Sequence, residues 1–324
     1  MERAWQELVD AVSGGEKRAL GRLITRVENR ERGWQDAMKA LYPLTGSAPV
    51  VGITGPPGAG KSSLTNRIAA ILLERGRRLG VIAVDPTSPF SGGALLGDRL
   101  RMRDVATSPG IFIRSMATRG TLGGLCQGAR DVARILEAAG HDLVLIETVG
   151  VGQDEIEVVK AADLVVVVCV PGQGDAVQAL KAGIMEIADL FVVNKADREG
   201  AEELVADICS MLALGGERDG GTPPVLETCA LSGEGVDALV AALEERLDRA
   251  SSTGRGGQAR VREEILGLIE RELARVVRRR FGSDGRLEQA VRSVQGGEID
   301  PYSAAEAILD DLGLAESGRT GAKP

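Results

Sequence analysis

The nine residues Gly55-Pro-Pro-Gly-Ala-Gly-Lys-Ser-Ser63 carry the clearest chemistry in this chain of 324 residues. They match G-x-x-x-x-G-K-[ST], follow the apolar run "VVGIT" and open a helical pattern, which is the context that motif requires. Gly55, Pro56, Pro57, Gly58, Ala59 and Gly60 form a loop whose glycines let backbone N–H groups turn inward around phosphate oxygens. The helix that follows adds positive potential at its N-terminus. Lys61 is expected to reach the β and γ phosphates. The Ser62 hydroxyl is expected on Mg²⁺, with Ser63 next to it in the same turn.

A second stretch, Asn194-Lys-Ala-Asp197, ends the strand-like run "LFVVN" about 130 residues further on. The Asp197 carboxylate can accept from both N1–H and the 2-amino group of guanine. Adenine lacks that pair of donors and would leave a buried acid unpaired, at a cost of roughly 1–3 kcal/mol or more. Asn194 is expected to tie its loop back to the phosphate loop, with the Lys195 stem covering the base. Downstream, "TCALSGEG" supplies Cys229, Ala230 and Leu231, whose backbone N–H groups could meet guanine O6.

Three acids between these motifs could serve Mg²⁺ and water. Asp85 ends the run "LGVIAV", Asp98 lies in the loop "DPTSPFSGGALLGDRLRM", and Glu147 ends "LVLIE". Mg²⁺ keeps octahedral oxygen ligation and several waters, so such acids can act through water. In small GTPases the place of Glu147 is usually an Asp of D-x-x-G, often with a catalytic Gln after the Gly. Here Val151 follows Gly150, which predicts slow hydrolysis by the isolated protein, with Gln153 a candidate substitute.

The elements that must position these residues are legible from periodicity. Seven apolar runs, "VVGIT", "LGVIAV", "IFIRS", "LVLIE", "LVVVVCV", "LFVVN" and "VLETCA", alternate with helical stretches beginning near Lys61, Gly123, Asp154, Asp175, Glu199 and Val236. Strands that are apolar throughout and joined by helices predict an α/β fold, a mainly parallel sheet covered by helices on both faces. Residues 1–46 form a helical N-terminal extension, with Leu8, Val12, Leu20, Leu23, Ile24 and Val27 at helical spacing. Residues 47–250 form the nucleotide-binding domain. Residues 251–324 open on the linker "SSTGRGGQ" and continue as a helical arm with a stripe of Val261, Ile265, Ile269, Leu273 and Val276.

Composition narrows the function classes. A net charge of −8 and 2% aromatic residues argue against a nucleic-acid partner. The arm's Arg278-Arg279-Arg280 is offset, because residues 251–324 hold 12 basic and 12 acidic side chains. The run Leu164–Val170 is too short to span a bilayer, and the N-terminus carries acids without an apolar signal core. A cytoplasmic protein without membrane contact is expected. Cys126, Cys169, Cys209 and Cys229 show no C-x-x-C spacing and predict reduced, buried thiols. The single histidine, His141, precedes a strand and is expected at the surface.

Taken together, "GPPGAGKSS", "DPTSPFSGGALLGDRLRM", "ETVGVGQDE" and "NKAD", in this order, resemble the MeaB/ArgK-like GTPases, G-protein chaperones of cobalamin-dependent acyl-CoA mutases. The resemblance implies a P-loop GTPase fold that turns GTP into GDP and phosphate with Mg²⁺. It also implies that Asp85, Asp98 and Glu147 serve the metal and hydrolysis, with the Asp98 loop as a switch. It implies a homodimer built partly by the C-terminal arm, and a mutase of the methylmalonyl-CoA type whose cofactor loading GTP hydrolysis gates. The family's third switch commonly reads D-E-L-Q-G-I-K. This chain keeps Asp175, Gln178 and Lys181 but has Ala176 at the Glu position, which bears on coupling to the partner. Two other readings stand beside this one: a metal-delivery GTPase, and an ArgK-like transport-system kinase or ATPase.

Overall fold

The computed structural model describes residues 2–85, 103–117, 124–148, 161–172, 187–214, 221–253, 257–281 and 285–311. In chain order the elements up to Thr253 are α1 (Arg3–Ser13), α2 (Lys17–Glu28), α3 (Trp34–Leu41), β1 (Val50–Thr54), α4 (Lys61–Glu74), β2 (Leu79–Asp85), α5 (Arg103–Ala106) and β3 (Ile111–Ala117). They continue with α6 (Gly124–Ala138), β4 (Leu143–Thr148), β5 (Leu164–Cys169), β6 (Leu190–Asn194), α7 (Ala201–Leu214), β7 (Val225–Thr228) and α8 (Val236–Thr253). All seven expected strands are present. The helices expected near Asp154 and Asp175 lie outside the described residues.

The strands form one parallel sheet in the order β3-β2-β4-β1-β5-β6-β7. Aliphatic, β-branched runs suit this sheet because both faces are covered, and the central strands β1, β4, β5 and β6 are buried along their whole length. In β5 all six residues are buried. Leu164, Val166 and Val168 join the core under Leu64 and Ile68 of α4 and Leu239 and Leu243 of α8. The alternate residues Val165, Val167 and Cys169 pack with Leu204 and Ile208 of α7. Burial pushes the Cys169 thiol up to about 12, so it stays protonated. Cys229 is buried as well, whereas Cys209 is exposed, contrary to expectation. The Cys126 side chain lies outside the described set.

The first three helices form a further layer that packs on α6. Trp5, Leu8, Leu23, Ile24 and Leu41 share a core with Val132 and Leu136 of α6 and with Ile82 and Ile146 of the sheet. Polar ties fasten this layer: Arg30 to the buried Asp131 at 2.7 Å, Arg114 to Glu28, and Lys17 Nζ to the Ile111 carbonyl at 3.1 Å. The Arg26 guanidinium lies 3.9 Å from the Trp5 ring centroid, and that of Arg30 lies 4.1 Å from Trp34. His141 belongs to the interior, not the surface. It is 6% exposed, with Nδ1 2.8 Å from the Leu136 carbonyl and its ring edge-on to Phe112. The turn from α6 into β4 folds back on Leu136 and sets His141 against Phe112.

Residues Met1–Thr253 form one compact unit and Gly254–Pro324 a second. The second holds α9 (Gly257–Phe281), α10 (Arg286–Gln295) and α11 (Pro301–Asp311). Within it Arg286 pairs with Asp311 at 2.6 Å and lies over the Phe281 ring. The stripe Val261, Ile265, Ile269, Leu273 and Val276 is exposed, between 38% and 51%. Among the described residues no helix is long and apolar enough to cross a membrane.

Candidate nucleotide-binding site

Strand order reverses about β1. Its crossover through α4 leads to β2 on one side, and β5 and β6 continue on the other. Open parallel sheets bind ligands outside the carboxyl ends of their strands at such a point. The loop Gly55–Gly60 occupies it, and two of its glycines are obligatory. A Cβ on Gly55 (φ 143°) would stand 2.1 Å from the Val168 carbonyl oxygen, and one on Gly60 (φ 86°) 2.4 Å from Asn194 Nδ2. Lys61 begins α4 with its side chain buried, and Nζ donates to the carbonyls of Gly55 at 2.6 Å and Pro56 at 3.1 Å.

Asn194 joins three segments at once. Its Nδ2 donates to the Ala59 carbonyl at 2.7 Å. Its Oδ1 accepts from Thr228 Oγ1 at 3.2 Å and from the Ala230 N–H at 3.0 Å. An amide is suited to this task because it offers donors and an acceptor on one rigid plane. Lys195 takes the left-handed conformation (φ 61°), and its Nζ donates to the Gly58 carbonyl at 2.7 Å. The phosphate loop, the end of β6 and the loop after β7 therefore form one hydrogen-bonded frame.

At the other end, Ser62 Oγ donates to Glu147 Oε1, and Glu147 is 1% exposed. The register explains the meeting, since Glu147 lies beside Ile53 at the end of β4, next to the strand that feeds the phosphate loop. Asp85 ends β2, where Ala83 pairs with Glu147, so it lies two positions further along the neighbouring strand at the same sheet edge. A hydroxyl and a carboxylate are hard oxygen donors and fit Mg²⁺, which takes one or two protein oxygens besides phosphate and water. Among the described residues no three His, Cys, Asp or Glu side chains cluster, so the donor set does not suit a dedicated transition-metal cage.

These groups line a cleft of about 620 Å³, a size that suits a small ligand. Its walls include Pro57, Gly58, Gly60, Lys61, Ser62, Ser63, Glu147, Asn194, Lys195, Asp197, Cys229, Ala230 and Leu231. Gly55, Pro56 and Ala59 belong to the loop but not to the wall. The side chain of Asp85, and Asp98 and Lys181 altogether, lie outside the described set, as do Gln153, Ala176 and Gln178. Two residues escaped the sequence reading. Arg198 follows Asp197 and lines the cleft. Arg67 of α4 donates to the carbonyls of Ala230 at 3.1 Å and Leu231 at 2.7 Å. Arg198 adjoins a motif and could have been flagged by position. Arg67 touches residues more than 160 positions away, and no spacing announces that.

The family model described as methylmalonyl Co-A mutase-associated GTPase MeaB matches residues 20–282. The chain belongs to the MeaB family of GTPases. Its relatives match over most of this chain. A Pyrococcus abyssi protein named "Putative GTPase" is 48% identical over 314 residues, covering 94% of this chain and 96% of the relative. GTPase ArgK of Escherichia coli is 33% identical, covering 95% and 97%. A mitochondrial methylmalonic aciduria type A homolog of Caenorhabditis elegans is 32% identical, covering 94% and 82%. The solved structure of a protein named LAO/AO transport system kinase superposes with a TM-score of 0.73 at 27% identity, covering 97% of this chain and 99% of that one. The fold of the family is thus the P-loop α/β architecture described above.

Proposed function

We propose that this protein is a GTP-binding and GTP-hydrolysing chaperone that gates cofactor loading of a cobalamin-dependent acyl-CoA mutase, of the methylmalonyl-CoA type, and protects it. The observation that carries the reading is the family match, whose description names association with that mutase, across residues 20–282. The nematode relative, named for methylmalonic aciduria, points the same way.

In this reading Asp197 selects guanine, Asn194 and Lys195 hold the base end of the frame, and Leu231 closes it. The loop Gly55–Gly60 with Lys61 takes the phosphates. Ser62, Glu147, Asp85 and Asp98 hold Mg²⁺ and its waters. The bound metal supplies charge neutralisation at the phosphates when GTP is present. Lys61 offsets charge developing on the β and γ phosphates. Hydrolysis is slow without a partner, because Val151 stands where a water-orienting Gln is common. Lys181 couples the mutase to the reacting phosphate. The protein acts in the cytoplasm as a homodimer joined through residues 251–324.

The test is steady-state GTP turnover with and without methylmalonyl-CoA mutase, for wild type and Lys181→Ala. Supplying one positioned donor or charge at the transition state is worth roughly 3–4 kcal/mol, a few hundredfold. Stimulation of that order is expected in wild type and its loss in Lys181→Ala. Equal stimulation in both would remove Lys181 from the mechanism, and none in either would overturn the mutase partnership. A second reading, a kinase serving a transport system, draws on the name given to the protein of the similar solved structure. Asp197 in the cleft wall favours guanine over adenine, and tight, competitive ATP binding would favour the kinase.

A further inference from the structure

We propose that Arg67 is a positioning residue for guanine recognition: its guanidinium orients the Ala230–Leu231 peptide so that the Leu231 N–H meets the base O6. The inference rests on the reading of the cleft as a guanine-nucleotide site. It begins from the loop after β7, which offers three candidate N–H groups for O6. The Cys229 N–H donates to the Glu234 carbonyl at 2.9 Å, and the Ala230 N–H to Asn194 Oδ1 at 3.0 Å. Of these three, the Leu231 N–H is the one that the described hydrogen bonds leave to a ligand.

Its direction is set by the peptide it belongs to. In a planar trans peptide the carbonyl and the following N–H point in opposite directions, and the described residues contain no cis bond. Holding the Ala230 carbonyl toward α4 therefore turns the Leu231 N–H away from α4. Arg67 does the holding: Nε donates to Ala230 O at 3.1 Å and Nη2 to Leu231 O at 2.7 Å. A rigid guanidinium fork fixes two successive carbonyls, which a single ammonium cannot do. Side-chain packing gives little help here, since Leu231 is 80% exposed. Arg67 also lies one helical turn beyond Ser63 of the phosphate-loop helix. The fork therefore ties the phosphate end of the cleft to its base end, independently of Asn194.

The experiment measures affinities of the full-length protein for GDP, 6-thio-GDP, IDP and ADP, by calorimetry, in wild type, Arg67→Ala and Arg67→Lys. In 6-thio-GDP the O6 acceptor is replaced by weakly accepting sulfur, while N1–H and the 2-amino group remain. IDP keeps O6 and lacks the 2-amino group that faces Asp197. Wild type should prefer GDP to 6-thio-GDP. Arg67→Ala should weaken GDP about tenfold, the scale of one hydrogen bond, and 6-thio-GDP far less, so that their ratio collapses while the GDP-to-IDP ratio stays put. Arg67→Lys should fall between. Equal weakening of GDP and 6-thio-GDP would reduce Arg67 to a general brace, and unchanged GDP affinity would remove it altogether; either result overturns the proposal. A wild-type protein without preference for GDP over ADP would instead overturn the guanine site on which the proposal rests.

Discussion

A carboxylate that reads a base is only as selective as the two donors it faces. Asp197→Asn should weaken GDP at least tenfold and improve xanthosine diphosphate, whose 2-oxo group accepts from an amide; competition binding measures both. Lys61→Ala should reduce turnover by about a hundredfold or more through loss of charge compensation at the phosphates. Glu147→Ala should spare binding and impair Mg²⁺-dependent turnover, because Glu147 is the carboxylate that Ser62 reaches. A normal single-turnover rate in that variant would show that another acid holds the metal shell. Lys61, Ser62 and Asp197 were legible in the sequence because their motifs are contiguous and rest on local geometry. The reach of Asn194 to Ala59, Thr228 and Ala230 was legible only as a direction, and the Arg67 fork not at all. Both depend on how strands far apart in sequence lie side by side.

Among the elements, the strands were the most legible part of the fold, since a doubly covered parallel sheet demands unbroken aliphatic runs. The helical layer α1–α3 was legible as helices, yet its place on α6 was not, because an apolar stripe does not name the surface it covers. Trp5 is fully buried in that layer. Trp5→Ala should cost about 3–5 kcal/mol, read as a lower urea midpoint. His141 escaped the sequence for a related reason: its burial comes from the path of the turn and not from its polarity. Burial lowers its pKa, and the charges of Arg78 and Lys17 add to this. The Leu136 carbonyl and Asp142 work in the opposite direction. The unfolded chain therefore binds a proton that the folded chain resists. Stability from this group is complete above about pH 6.5 and declines as pH falls below it. His141→Gln should lessen the loss of urea stability between about pH 7 and pH 5.5 relative to wild type.

For the whole molecule, the unit beyond Thr253 presents an apolar stripe that is exposed among its described residues. If the stripe seals a homodimer, Ile265→Glu combined with Ile269→Glu should convert a sedimenting dimer to monomer without changing GDP affinity. A dimer that persists would place the interface elsewhere. The paired arginine–tryptophan stacks carry a practical consequence of another kind. Both tryptophans of the chain, Trp5 and Trp34, sit in the N-terminal helices under Arg26 and Arg30, on a layer that packs against α6 and contributes nothing to the cleft wall. Intrinsic fluorescence is thus a gauge of whether that layer remains attached, and it is a poor gauge of nucleotide occupancy. Binding at the cleft has to be followed with a labelled nucleotide or by heat. An emission shift that precedes loss of the far-ultraviolet helix signal would mark the layer as the first part of the molecule to come away.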